Sequence, residues 1–568
     1  MATSDATFQL HRFAGRRLRR EIGVVGLLFT SVGSIIGSGW LFGSLSASKI
    51  AGPAALISWG IGGVAIVLLA LIHAELGAMY PVAGGSARFP HYAFGSLVGF
   101  AAGWFAFLGA VTTAPIEVEA ALQYATNYVH GLTHVSSGTP VLTTTGYVVA
   151  AGLMLLFSAI NVMGVKWLSE TNKAAVWWKI AIPVLTVIVL LVTAFHPSNF
   201  HAGGGFMPFG WKGVFTAVAA GGVIFAYLGF EQAIQLGGET RNPRRNIPLA
   251  VVGSILLGVV LYVLLQVCFI GALSPASLAH GWTAVAFSGN GATYGPFAGL
   301  AIALGLGWLA TLLYVDAIVS PGGTGLLYVG TSSRISFALA RNRYIPRFLA
   351  NLSGRSVPLA AIAFSFLCGM IVFLPFPGWQ QLVGFITSAT VLAYASAPLA
   401  LGALRKSQPQ TRRPFRLPGA GILAPIGFAV AGELILFSGW AVVWKLIVAV
   451  ALGFALLGAS IAMSRPEDRP SIDWRAGVWL WPYLLGLGAI SYLSSFDTAT
   501  KSSFLGLRGP VNVLHFGWDV LAMAIFSFVI YALAMRFRLP AAAVEEHVGD
   551  LSAEAEEIEQ ELGTLDAR

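Results

Sequence analysis

The chain has 568 residues, 56% of them hydrophobic and only 10% charged, and its mean hydropathy is +0.77. That composition excludes a water-soluble enzyme and a disordered scaffold. It places the chain in a membrane, with apolar residues enough for a dozen or more crossings at roughly 20 residues each. The 33 Lys and Arg outnumber the 24 Asp and Glu, for a net charge of +9, a balance that would suit a nucleic-acid binder if the basic residues formed one surface.

A basic segment from His11 to Arg20 runs into the first apolar stretch with no small-residue cleavage site, so residues 1–21 read as a basic cytoplasmic N-terminus. Apolar runs follow near 22–47, 54–79, 97–128, 143–164, 174–195, 213–237, 249–273, 296–330, 358–376, 381–404, 420–439, 441–463, 477–495 and 515–535. Their length and lack of two-residue alternation predict an all-α polytopic membrane protein with about 14 transmembrane helices. Residues 541–568 close the chain with a different composition, nine carboxylates between Glu545 and Asp566 against Arg568, and read as an acidic cytoplasmic tail, solvated or disordered.

With the N-terminus inside, the inner segments collect most of the basic residues, from Arg12 through Arg241, Arg244 and Arg245 to Arg536 and Arg538. Only Lys49, Lys212, Lys445, Lys501 and Arg508 fall outside, and Lys179 alone falls within a span. The positive charge is therefore an orientation signal and an attraction for anionic lipid headgroups. It needs no nucleic-acid partner. The expected location is the plasma (inner) membrane, with both termini cytoplasmic.

Chemistry of the soluble kind is missing from the sequence. There is no phosphate-binding G-x-x-x-x-G-K-[ST], no H-E-x-x-H and no G-x-S-x-G, so no cofactor, metal or catalytic residue is expected. His196 and His201 share an outer loop without carboxylate or thiol partners, and Cys268 and Cys368 lie in separate apolar runs. Two G-x-G-x-x-A matches, Gly60 to Ala65 and Gly305 to Ala310, lie inside spans and read as packing glycines.

The informative feature is Ser31-Val-Gly33-Ser-Ile-Ile-Gly37-Ser38-Gly39-Trp40, which puts three glycines in the middle of the first span. Glycine weakens a helix, and non-helical backbone at membrane depth is tolerated only beside protein or a watery cavity. Unwinding there would free N–H groups of Ser38 and Gly39 as a carboxylate site at the start of the outer half-helix, although Gly33 and Gly37 also make a close-packing G-x-x-x-G face. The sixth span repeats the anomaly at Gly221-Gly222 and Phe225-Ala-Tyr227-Leu-Gly229-Phe230-Glu231. Two interrupted spans five apart point to a five-plus-five inverted-repeat transporter with broken first and sixth spans, because the second unit must enter the membrane from the opposite side. On that reading 22–195 is the first repeat, 213–404 the second, and 420–535 four peripheral spans.

The first break resembles the glycine-rich substrate motif of the amino acid–polyamine–organocation (APC) superfamily, whose usual form is close to I-I-G-[ST]-G-I-F. "HAELGAMYPVAGGSARF" (73–89), "NVMGVKWLSETNKAAVWWKIAIP" (161–183), "FAYLGFEQAIQLGGETRNPRRNIPLA" (225–250) and "GTSSRISFALARNRYIPRF" (330–348) resemble the same family in the same order. "SVGSIIGSGWLFG" and "SPGGTG" loosely resemble proteins labelled aspartate–proton symporters. The resemblance implies that a substrate carboxylate sits on backbone N–H groups from Ile36 through Gly37 and Ser38 to Gly39, with the Ser38 hydroxyl. The amino group would then sit on carbonyls of Phe225, Ala226 and Leu228, with the Phe225 ring as a gate. It also implies that the Lys179 ammonium occupies the place where sodium-coupled relatives hold Na⁺, so that a proton cycling on Lys179 biases inward- against outward-facing states.

Intramembrane carboxylates are costly and are functional candidates by default. Glu117, Glu231 and Asp316 join Lys179 as candidate proton-coupling groups. Glu119 is weighed with them, whereas Glu75, Glu433 and Asp519 read as structural. Glu239 resembles the family's cytoplasmic E-x-x-N-P element and reads as a gate or cap. Ser320 and Thr324 are expected in a side-chain pocket. The expected function is import of an amino acid by proton-coupled symport with alternating access. A cationic amino acid or polyamine substrate is an alternative, since no arginine lies within the predicted core spans to hold a second carboxylate, and amino acid or polyamine exchange in place of symport is another. A transporter-like sensor and an intramembrane enzyme using carboxylates and His73 stand behind these.

Overall fold

In a computed structural model the described residues are 22–81, 85–136, 138–163, 165–287, 295–353, 357–466, 469–496, 502–504 and 507–549. The basic segment 1–21 and residues 550–568 of the acidic tail lie outside them. Helices occur in the order α1 (Val24–Ile35), α2 (Gly39–Ala51), α3 (Ala55–Met79), α4 (Gly85–Phe94), α5 (Ser96–Ala125), α6 (Thr144–Met163) and α7 (Val165–Thr193). They continue as α8 (Gly210–Ala219), α9 (Val223–Tyr227), α10 (Glu231–Gln235), α11 (Pro243–Ala272), α12 (Pro296–Ala303), α13 (Gly307–Arg341) and α14 (Leu359–Val372). The last are α15 (Trp379–Tyr394), α16 (Ser396–Ser407), α17 (Ala420–Leu436), α18 (Trp440–Met463), α19 (Leu480–Leu493) and α20 (Trp518–Phe537). Two short antiparallel hairpins pair Thr133–Ser136 with Thr139–Leu142 and Ser502–Phe504 with Leu507–Gly509.

Among the described residues, nine helical stretches are long and apolar enough to cross a membrane, and α1, α14, α17 and α19 are shorter apolar helices. The core forms where α5 packs on α13 and α15, and where α11 packs on α3 and α1. In α5 nearly every residue is buried, so its low polarity faces neighbours all round, as expected of a central helix. By contrast α6 leaves Leu155, Leu156 and Met163 exposed, an apolar face suited to lipid. α17 pairs with α20, and α19 packs on α20 and α18.

Both predicted breaks are present. α1 stops at Ile35 and α2 starts at Gly39, and the sixth apolar run divides into α8, α9 and α10 around Gly222 (φ +84°) and Gly229 (φ +122°). The eighth run, predicted as one span over 296–330, instead divides: α12 ends, Gly305 adopts φ +73°, and α13 continues to Arg341. Gly305 is thus a left-handed helix stop with open space around it, which corrects the packing reading for the second G-x-G-x-x-A match, whereas in the first Gly60 meets nothing within 4 Å but a Cβ on Gly62 would stand 2.7 Å from Val223, as a packing glycine should. The described start of the tail packs on the body, where its charge predicted a solvated segment. Residues 541–549 form a helix whose Val544 is fully buried, and Leu539 just before it donates its N–H to the Ala93 carbonyl at 3.0 Å.

Candidate functional site

The two breaks touch each other. A Cβ built on Gly39 would stand 2.8 Å from the Ala226 Cα, and one on Gly229 would stand 2.7 Å from Ser34 Oγ and 2.9 Å from the Ile35 nitrogen. Only glycine allows that approach, and Gly229 also needs its left-handed φ. Backbone groups freed by unwinding find partners across the bundle. Gly33 O accepts from Lys179 Nζ at 2.8 Å, Ile35 O from Tyr262 Oη at 2.9 Å, and Phe230 O from Ser31 Oγ at 3.2 Å. Such satisfaction is what lets irregular backbone persist away from water.

Between the breaks lies a cavity of about 20 Å³ lined by Gly37, Gly39, Glu117, Phe225, Leu228 and Thr324 among the predicted residues, together with Thr113, Tyr328, Ile386 and Thr390. That is room for about one water molecule, so the two breaks are closed on each other here. Of the predicted N–H cradle, Ile36 and Gly37 donate to the carbonyls of Val32 and Ile35, while Ser38 donates to Glu117 Oε2 at 2.8 Å. The Ser38 hydroxyl accepts from Trp379 Nε1 at 2.9 Å. Trp379 stacks on Phe42 at 4.9 Å and meets the Phe225 ring edge-on at 5.9 Å. On the opposite break the Phe225 carbonyl accepts from the Leu228 N–H, leaving one lone pair, and Ala226 packs against Gly39 outside the lining.

Lys179 is fully buried and donates to Gly33 O and to Thr324 Oγ1 at 2.7 Å, so it ties the first break to α13. Asp316, Ser320, Thr324 and Tyr328 recur every four residues along one face of α13. Ser320 does not join the cavity as expected. It sits a helical turn away and donates to Asp316 Oδ1 at 2.6 Å. The indole nitrogens of Trp40 and Trp178 lie beside the Asp316 carboxylate, and the Lys179 charge acts on both Asp316 and Glu117.

Glu231 holds a second constellation. It accepts from the Gly229 N–H and Tyr328 Oη, both at 3.1 Å, and from Tyr394 Oη, and Tyr328 accepts in turn from Ser34 Oγ at 3.1 Å. A second cavity of about 40 Å³ lies beyond this cluster, lined by His73, Glu231, Gln235, Tyr328, Thr331, Thr390 and Tyr394. Tyr328 and Thr390 belong to both cavities and form the wall between them. His73 pairs its Nδ1 with its own helix at Leu69 O, 2.8 Å away. Glu119, two residues from Glu117, points elsewhere, with neither carboxylate oxygen hydrogen-bonded.

Tyr328 was within reach of the sequence, as the next member of the four-residue series on α13. Trp379, Tyr394, Tyr262 and Thr390 carried no local signal, because aromatic and hydroxyl residues at helical spacing look the same facing a cavity or a neighbouring helix. No group of three or more His, Cys, Asp or Glu that could hold a metal occurs among the described residues.

A profile of the family described as amino acid permease matches residues 22–458. The glutamate/serine transporter AimA of Bacillus subtilis is 38% identical over 524 residues, 92% of this chain and 94% of its own length. The aspartate-proton symporter of the same organism is 35% identical over 532 residues, 93% of this chain and 98% of its own. Human cationic amino acid transporter 4 is 29% identical over 431 residues, 72% of this chain and 63% of its own. With its paired helix breaks closed around a polar cavity and relatives that are amino acid transporters, this integral membrane protein belongs to the amino acid permease family of the APC superfamily.

Proposed function

We propose that the protein imports a small or acidic amino acid together with protons, by alternating access around the cavity between the two breaks. The carrying observation is that Lys179 holds the first break to α13 beside that cavity through two short hydrogen bonds. One proton there strengthens or weakens the hold on Gly33 O and Thr324, because a neutral amine keeps two N–H donors but loses the charge that makes them strong, which gives a proton a direct grip on the element that must move. We infer a five-plus-five inverted repeat over 22–195 and 213–404, peripheral spans over 420–535, about 14 crossings, and cytoplasmic termini at the plasma membrane.

On this reading Ser38 and Gly39 take the α-carboxylate and the Phe225 and Leu228 carbonyls take the ammonium, with Phe225 and Trp379 as the cover. Thr113, Thr324 and Thr390 line the cavity where the substrate side chain would lie, a polar wall that suits serine or a short dicarboxylate. The names of the relatives point to the same class. Glu231, between the two cavities, is the second proton-binding group, and Asp316 is a relay toward Lys179.

The test is uptake of labelled L-serine, L-glutamate and L-aspartate into proteoliposomes with and without an acid-outside gradient. Accumulation that needs the gradient and collapses with a protonophore supports symport. Uptake that is indifferent to the gradient but requires amino acid inside would establish exchange instead.

A further inference from the structure

The donor that should receive the substrate is already occupied. Ser38 is the N–H of the first break that points at a side chain, and it gives its hydrogen bond to the Glu117 carboxylate. The other oxygen of Glu117 lies against Gly37, where a Cβ would stand 2.5 Å from Oε1 and 3.2 Å from Thr324 Oγ1. Glu117 is 1% exposed and lines the cavity. Its carboxylate thus rests at the helix break much as the carboxylate of an amino acid would. Two carboxylate anions cannot share that one donor in a dry site, because like charges a few ångströms apart exclude each other.

We propose that Glu117 is a built-in surrogate for the substrate carboxylate, and that substrate enters as Glu117 takes up a proton and gives up Ser38. The inference rests on the cavity being the amino acid site. The proton comes from water facing the cavity and forms an O–H on Glu117, and the substrate carboxylate then accepts the Ser38 N–H. Release reverses both steps, so each substrate carboxylate travels with one proton. The titratable groups that face Glu117 are Lys179 on α7, Tyr262 on α11 and Tyr328 on α13. Asp316 acts on Lys179, and Glu231 holds Tyr328.

The experiment uses the full chain in nanodiscs with L-serine, L-glutamate and L-aspartate as probes, binding and proton uptake being read by calorimetry from pH 5 to 8. Wild-type binding is expected to weaken by up to about tenfold per pH unit toward alkaline pH, with about one proton taken up per probe bound. Glu117→Gln keeps an oxygen for Ser38 but no charge, and is expected to bind independently of pH without proton uptake. Glu117→Asp draws the carboxylate back from Ser38 and is expected to flatten the pH slope. An unchanged slope in a folded Gln or Asp variant, or probe binding to wild type without proton uptake, overturns the role of Glu117. A wild type that binds none of the three probes at any pH overturns the amino acid reading itself.

Discussion

Lys179 lies about two turns into its predicted span, where a lysine could simply reach back to the membrane surface, and the structure instead buries it against the first break. Lys179→Ala removes both hydrogen bonds and the charge. The expected outcome is uptake that no longer follows a pH gradient, at normal expression, measured in proteoliposomes; pH-driven accumulation equal to wild type would refute it. Gly39 was legible as a helix breaker, yet its closest constraint is Ala226, a residue 187 positions away in sequence that only folding brings near. Gly39→Ala forces the breaks apart and should lower stability by about 1–3 kcal/mol, read as a lower melting temperature, together with loss of transport. Transport at the wild-type rate would show that the breaks need no contact.

At the scale of elements, Glu75 on α3 confirms the structural reading of an intramembrane carboxylate. It receives Arg405 at 2.9 and 2.6 Å and the Leu417 N–H at 2.7 Å, with Arg413 3.4 Å away. Removing one partner of a buried ion pair strands the others, so Glu75→Ala should cost about 3–5 kcal/mol, seen as a marked drop in melting temperature in detergent. The loop before α19 does similar work for α5, since Asp473 accepts from Ser96 N at 2.8 Å and from Ser96 Oγ at 2.9 Å, supplying a helix cap from far along the chain. The helix at 541–549 adds His547, whose Nε2 is 3.8 Å from Asp473 and whose ring meets His91 of α4 at 4.8 Å.

Burial and the facing His547 push His91 down to about 4, against the opposing pull of Asp473. The docked form therefore binds fewer protons than the undocked one. The contact is intact above the ordinary histidine pKa near 6.5 and weakens as pH falls toward about 4. Proteolysis after α20 in nanodiscs should accelerate between pH 7 and pH 5, and a rate unchanged across that range would show that the histidines do not hold this segment.

For the whole molecule, composition, apolar run length and the distribution of basic residues were enough to identify a helical membrane protein, and the spacing of two glycine-rich interruptions was enough to predict the two breaks that flank the cavity. Those properties are local: hydrophobic length and helix propensity are read within a window, and a break at mid-depth shows wherever it occurs. The division of the eighth run at Gly305 escaped because a single left-handed glycine leaves the hydropathy of a span unchanged. The docking of 541–549 escaped because Val544 is one apolar residue in an acidic segment, and only its burial against the core of the assembled bundle makes it count.

What the sequence determined by itself is therefore the class, the membrane and the two breaks. What the tertiary structure decided is which side chains serve them: Glu117 on the Ser38 N–H, Trp379 on the Ser38 hydroxyl, Tyr262 on Ile35 O, and Tyr328 and Tyr394 on Glu231. Each of these bonds joins a break or helix to a different helix of the bundle, and their pairing depends on rotation and depth of packing rather than on any spacing along the chain. A polar group buried in hydrocarbon must find a partner, but which partner it finds is a property of the assembled bundle.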